Sequence, residues 1–239
     1  MSEKVDLLKM EKEVARRTRA EKATEVSLCE RFFNHLGVGF NRIGKPFSWK
    51  EPDGTILLLT TMGFNSLRWA WELLLKGYYV QANALSRTGY ECWLHGAYLL
   101  LYPERLEQWR VFEKRPTPAE MRRLVAERAA QADSEVGASE FLDGMGRIYF
   151  EYSDYAHPSD LSLNVLVDEK DGGKWLRLGC DYDAVLILQS TNMFCTAAAL
   201  LFTAVDRLLS ESPDYHEAGE VLINEMHEWR QNLKLEEAN

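Results

Sequence analysis

The chain has 239 residues, enough for one large domain or two small ones, and folding at this length removes roughly 70% of the unfolded surface from water. Its 28 Lys and Arg stand against 37 Asp and Glu, a formal net charge of -9, with the excess concentrated where Asp133 to Asp183 holds 12 acidic and 4 basic residues and Asp206 to Asn239 holds 9 and 3. Nucleic-acid affinity rests on Lys and Arg neutralising phosphates, so this balance disfavours general nucleic-acid binding and leaves Arg105 to Arg128 as the least acidic stretch beyond the N-terminal region.

In chain order, residues 1–36 read as a long charged helix with a thin apolar seam through Val5, Leu8, Ala15, Val26, Cys29 and Phe33. Such a seam packs against other helices or a second copy of itself, which makes this segment the expected element of a homodimer. Its start, "MSEKVDLLKMEKE", alternates charges where a secretion signal needs an apolar run. Cys29, Cys92, Cys180 and Cys195 are far apart and form no Cys-x-x-Cys pair, which fits a reducing, cytoplasmic setting. Residues 37–55, "GVGFNRIGKPFSWKEPDGT", carry glycines and prolines and read as a loop.

Residues 56–239 then read as a single helical-bundle domain. Helices are expected over 56–76, 78–102, 103–113, 118–132, 138–156, 183–209 and 213–236, and the spacing of Leu142, Met145, Ile148, Tyr149 and Tyr152 is the clearest helical pattern. Two apolar runs around Asp171-Gly172-Gly173 predict a β-hairpin at about residues 161–180, laid across the helices. Ala184 to Val205 lacks any charged residue and is long enough to span a bilayer. Its polar centre at Gln189, Ser190, Thr191 and Asn192 and its acidic flanks point instead to a buried core helix, with no membrane partner. The expected fold class is therefore mainly α, a multi-helix bundle with one inserted β-hairpin.

Three polar groups interrupt this apolar background. Arg87, Glu91 and His95 follow at four-residue spacing on one helix, so their side chains can meet, and buried charges persist only when paired. "YSDYAHPSD" ends another helix, because Pro158 disfavours helical backbone at His157; this places the imidazole near a helix C-terminus, either capping it or facing Arg87 and Glu91 across a helix interface with Tyr152 or Tyr155 contributing a phenol. Gln189, Asn192 and Thr196 form a polar stripe on the uncharged helix and need partners, which the Arg87/Glu91 pair or the hairpin could supply. Together they predict a polar interior shared by three helices, either structural or binding a small anionic ligand or a partner segment. Arg87, Glu91 and His157 are the acid/base candidates should the site be catalytic.

Other chemistries lack their residues. A di-iron bundle needs paired Glu-x-x-His motifs, whereas Glu91 and His95 have three residues between them and no second pair; no metal and no cofactor is expected. "GVGFNRIG" has no P-loop lysine, and no Gly-x-Ser-x-Gly elbow occurs.

"ALSRTGYECW" and "YSDYAHPS" together resemble uncharacterised bacterial helical proteins that look HEPN-like, over residues 56–209. That resemblance implies an all-helical, often dimeric bundle, many of whose members are metal-independent ribonucleases acting through an arginine followed a few residues later by a histidine. Here Arg31 and His35 are separated by three residues, Arg87 and His95 by seven, and Arg147 and His157 by nine, so the motif does not carry over. The expected function is a binding or regulatory role, with a ribonuclease or other acid/base enzyme as the alternative.

Overall fold

The computed structural model describes residues 6–43, 50–132, 138–156, 167–170, 173–176, 180–209 and 212–237. Among them nine α-helices are seen: α1 (Leu7–Glu21), α2 (Ala23–Ile43), α3 (Asp53–Leu75), α4 (Tyr79–Leu101), α5 (Leu106–Arg110), α6 (Pro118–Ala132), α7 (Ala138–Ala156), α8 (Ala184–Leu208) and α9 (Pro213–Glu237). The chain is mainly helical.

The uncharged segment forms α8, and it is buried almost all round. Ile187, Phe194, Cys195, Ala197, Ala198, Leu201 and Val205 are fully enclosed, and α2, α3, α4 and α9 pack along it. A helix this apolar needs neighbours on most sides, and what stays open is a face through Val185 and Gln189. Its start is fixed by Asp183, whose carboxylate accepts from the amides of Val185 and Leu186 at 3.0 and 3.1 Å, a side-chain N-cap. The residues just before it are pinned to the turn between α3 and α4. There Tyr79 donates to the Asp181 carbonyl and accepts from the Asp183 amide, each at 3.0 Å. That turn closes α3 through Gly77 at φ 80°, with the Tyr78 amide reaching back to the Leu73 carbonyl at 2.9 Å.

Close crossings depend on small residues. At Gly39 of α2, a β-carbon would run into the Tyr215 phenol and come within 2.5 Å of Val205 Cγ1. At Gly219 of α9 it would enter the Phe202 ring. The loop expected from residue 37 does not begin there: α2 continues through Gly37 and Gly39 to Ile43, and at Gly39 glycine serves helix packing rather than a turn. The long N-terminal helix is likewise broken at Lys22, where φ −126° and ψ 44° leave the helical region. Its second half supplies Val26, Leu28, Cys29, Phe32 and Leu36 to this chain's own core, while Leu7 and Leu8 on the first half stay exposed. The helix expected over 103–113 is also interrupted, as 3₁₀ turns at Pro103–Arg105 and Phe112–Lys114 flank the short α5. Helix α6 begins with a reciprocal capping box: the Thr117 amide donates to Glu120 Oε2 at 2.8 Å and the Glu120 amide to Thr117 Oγ1 at 3.3 Å.

Strands β1 (Val167–Lys170) and β2 (Gly173–Leu176) pair antiparallel, with Val167 opposite Leu176 and Lys170 opposite Gly173. The rest of the hairpin expected at about 161–180, and its placement across the helices, lies outside the described residues apart from Cys180.

The glycine contacts give a direct test. Gly39→Ala and Gly219→Ala should each destabilise the fold by about 1 to 3 kcal/mol despite alanine's better helix propensity, because the added methyl overpacks a closed crossing. Gly146→Ala on α7, where nothing lies within 4 Å of the added carbon, should raise stability by about 0.5 to 1 kcal/mol. Urea denaturation of the three variants checks both signs.

Candidate functional site

The structure distributes the nominated residues over separate places. Arg87 and Glu91 do meet, with Nε donating to Oε1 at 2.8 Å. Their neighbours come from α6 and α7: Arg87 donates to the Tyr149 hydroxyl at 3.3 Å, and the guanidiniums of Arg87 and Arg122 lie 5.1 and 4.1 Å from the Tyr149 ring centre. Cation–π contact lets two arginines share one aromatic ring near a single carboxylate. His95, one helical turn further, takes no part in this cluster. Its Nδ1 accepts from the Trp109 indole at 2.8 Å, so the ring is a neutral acceptor fixed by the segment after α4. Burial, aided by nearby Arg115, pushes its pKa down to about 4.

Tyr152 is buried in the core between α7 and α8, donating to the Met193 carbonyl at 2.5 Å, and burial pushes its phenol well above the usual tyrosine value. It is therefore a structural donor and not an exposed acid. The side chain of Tyr155, and His157 with the whole of 157–166, lie outside the described residues.

The polar stripe of α8 meets a partner that sequence reasoning did not nominate. Arg230 of α9 donates through Nε to Asn192 Oδ1 at 2.6 Å and through Nη2 to Thr196 Oγ1 at 2.5 Å. The expected partners, Arg87 and Glu91, face α6 and α7 instead. Arg230 sits in a cleft of about 770 Å³ between α7, α8 and α9, with polar lining from Arg147, Glu151, Gln189, Asn192 and Thr196 and apolar lining from Ile148, Val185, Leu188, Trp229 and Leu233. The sequence signal was the stripe itself, three polar side chains at helical spacing in an apolar helix. The reason Arg230 escaped notice is that a lone arginine on an amphipathic helix reads as part of the solvated face.

The electrostatics of the cleft are unusual. Desolvation draws the Arg230 pKa down from the ordinary arginine value, opposed by Cys195, Tyr152 and Glu151. Desolvation also raises the Glu151 carboxyl, opposed by Arg230 and Arg147. Arginine stays protonated under such a shift, so the guanidinium is a persistent cation whose two hydrogen-bond acceptors are neutral. A desolvated charge with only neutral partners is costly unless a counter-charge joins it. Trp229, beside it, is anchored the other way, its indole donating to Glu25 Oε1 of α2 at 3.2 Å.

Among the described residues no group of three His, Cys, Asp or Glu is placed to hold a metal ion. Comparison with known protein families, with curated proteins and with solved structures gave no match, so the chemistry of the cleft is read from its geometry alone.

His95 generates a pH-dependent prediction. Its pKa falls from 6.5 in the unfolded chain to about 4 in the fold, so its contribution is complete above pH 6.5 and drains away as pH falls towards 4. Wild-type stability should drop across that window by on the order of 1 to 3 kcal/mol more than that of His95→Gln, which keeps an acceptor for Trp109 but cannot be protonated there. Denaturant titrations at several pH values give the comparison; parallel curves for the two proteins would remove His95 as the cause.

Proposed function

We propose that this protein binds a small anionic ligand in the cleft between α7, α8 and α9, in a non-enzymatic, binding or regulatory role. One observation carries the reading: the Arg230 guanidinium is held in a concave, partly apolar site by Asn192 and Thr196, without a carboxylate among its hydrogen-bond acceptors. Two neutral acceptors orient the fork and leave its charge to be satisfied from the cleft. Binding sites combine such features: concave, mostly apolar walls with a few fixed polar groups. Gln189, nominated from the sequence with Asn192, lines the same cleft.

The same reading includes a cytoplasmic protein whose inserted hairpin is supported by the β1–β2 register, and a homodimer supported by Leu7 and Leu8, 46% and 70% exposed on α1. The acid/base alternative, including a HEPN-like ribonuclease, draws no support from the described residues beyond the Arg87–Glu91 pair.

A thermal-shift panel of small carboxylates and phosphates at constant ionic strength tests the proposal. Binding at saturating ligand should raise Tm, at about 2 to 4 °C per kcal/mol of linkage stabilisation, and Arg230→Gln should abolish the rise. If no anion shifts the wild type, or if Arg230→Gln shifts equally, the reading fails.

A further inference from the structure

We infer that the ligand of this cleft is an amphiphilic monocarboxylate, an acid group on an apolar chain or ring, with the carboxylate on Arg230 and the apolar body along Leu188, Ile148 and Leu233. This rests on the reading of the cleft as an anion site and specifies the chemistry of what enters.

Three observations converge. The first is donor arithmetic. A guanidinium offers five N–H donors, and the Arg230 bonds to Asn192 and Thr196 use one on Nε and one on Nη2. Of the three that remain, one on Nη1 and the second on Nη2 form the end-on edge, a two-pronged donor that matches the two oxygens of a carboxylate. The second is charge. The cleft holds two guanidiniums, Arg147 and Arg230, and one carboxyl, Glu151, so with Glu151 ionised the local balance is a single positive charge. A monoanion neutralises it, whereas a phosphate dianion would leave uncompensated negative charge against a carboxylate. The third is the apolar lining. Leu188 of α8, Ile148 of α7 and Leu233 of α9 converge on the cleft from three helices, and Val185 at its rim is 61% exposed. Exposed aliphatic surface next to a desolvated cation is matched by a ligand with an apolar body and one charged end, because burial of each methylene contributes favourably while the charge stays paired.

The experiment is calorimetric titration of the intact protein with a straight-chain series, acetate, butyrate, hexanoate and octanoate, together with inorganic phosphate and 1-octanol. Affinity should rise about two- to fourfold per methylene along the acids, as expected for partial to full burial of each CH₂. Octanol should bind at least tenfold more weakly than octanoate, since it lacks the charge-assisted pair. Arg230→Gln should weaken octanoate by about ten- to a hundredfold and leave octanol unchanged, a pattern that general loosening of the fold would not produce. Leu188→Gln should flatten the chain-length dependence while acetate binding persists. Equal affinity for acetate, phosphate and octanoate, all lost in Arg230→Gln, would overturn the amphiphilic assignment and keep the anion site. Octanol binding as tightly as octanoate would overturn the role given to the charge. Wild-type protein that is folded by circular dichroism and yet binds none of the acids and no phosphate would overturn both this inference and the anion-site reading beneath it.

Discussion

The structure depends on covering α8. Between Ala184 and Val205 the chain has no charged residue, and once such a segment becomes a helix almost every direction from its axis is apolar. In water the only solution within one chain is to surround it, and α2, α3, α4 and α9 do so. The approach is close because the crossing residues are small: Ala197, Ala198 and Ala199 on α8 itself, Gly63 and Gly89 on α3 and α4, where Leu201 and Leu67 fill the space a side chain would occupy. Side chains reduced to a hydrogen or a methyl let helix backbones approach and increase the dispersion contacts that a dense interior supplies.

That same enclosure sets the chemistry of every polar group nearby. Cys29 and Cys195 lie 3.8 Å apart in the interior between α2 and α8, and burial raises the Cys29 thiol well above its ordinary value, so Cys29 is inert as a nucleophile. Tyr152 spends its hydroxyl on a backbone carbonyl, and His95 is held neutral by a tryptophan. These groups are satisfied locally, as buried polar atoms usually are. Arg230 differs because its hydrogen-bond partners on α8 are neutral while it opens on a cleft, where Glu151 is a carboxylate that acts on its charge.

The positions of the nominated residues show why a polar cluster cannot be assembled from spacing. Four-residue spacing on α4 placed Arg87 beside Glu91 correctly, because that contact is a property of one helix. The same spacing offered His95 as a third member, yet Trp109 captured it, because which groups face a helical side chain is set by the segment packed against that turn. Asn192 and Thr196 were legible as a stripe needing partners, and they have one. That the partner is Arg230 followed from the angle at which α9 returns over α8, a crossing held by Gly219 beneath Phe202 and by Trp229 on Glu25.

By itself the sequence determined the helical character of the chain, most helix boundaries, and that Ala184 to Val205 forms a core helix, since periodicity and the absence of charge act locally or through water, which is the same everywhere. It also marked Gln189, Asn192 and Thr196 as polar groups in an apolar setting. Only the tertiary structure decided that Gly37 and Gly39 continue a helix, that the nominated residues separate, and that α7, α8 and α9 enclose a cleft around Arg230. Each of these depends on contacts between residues far apart in the chain, and no local preference encodes which distant surface will complete a given face.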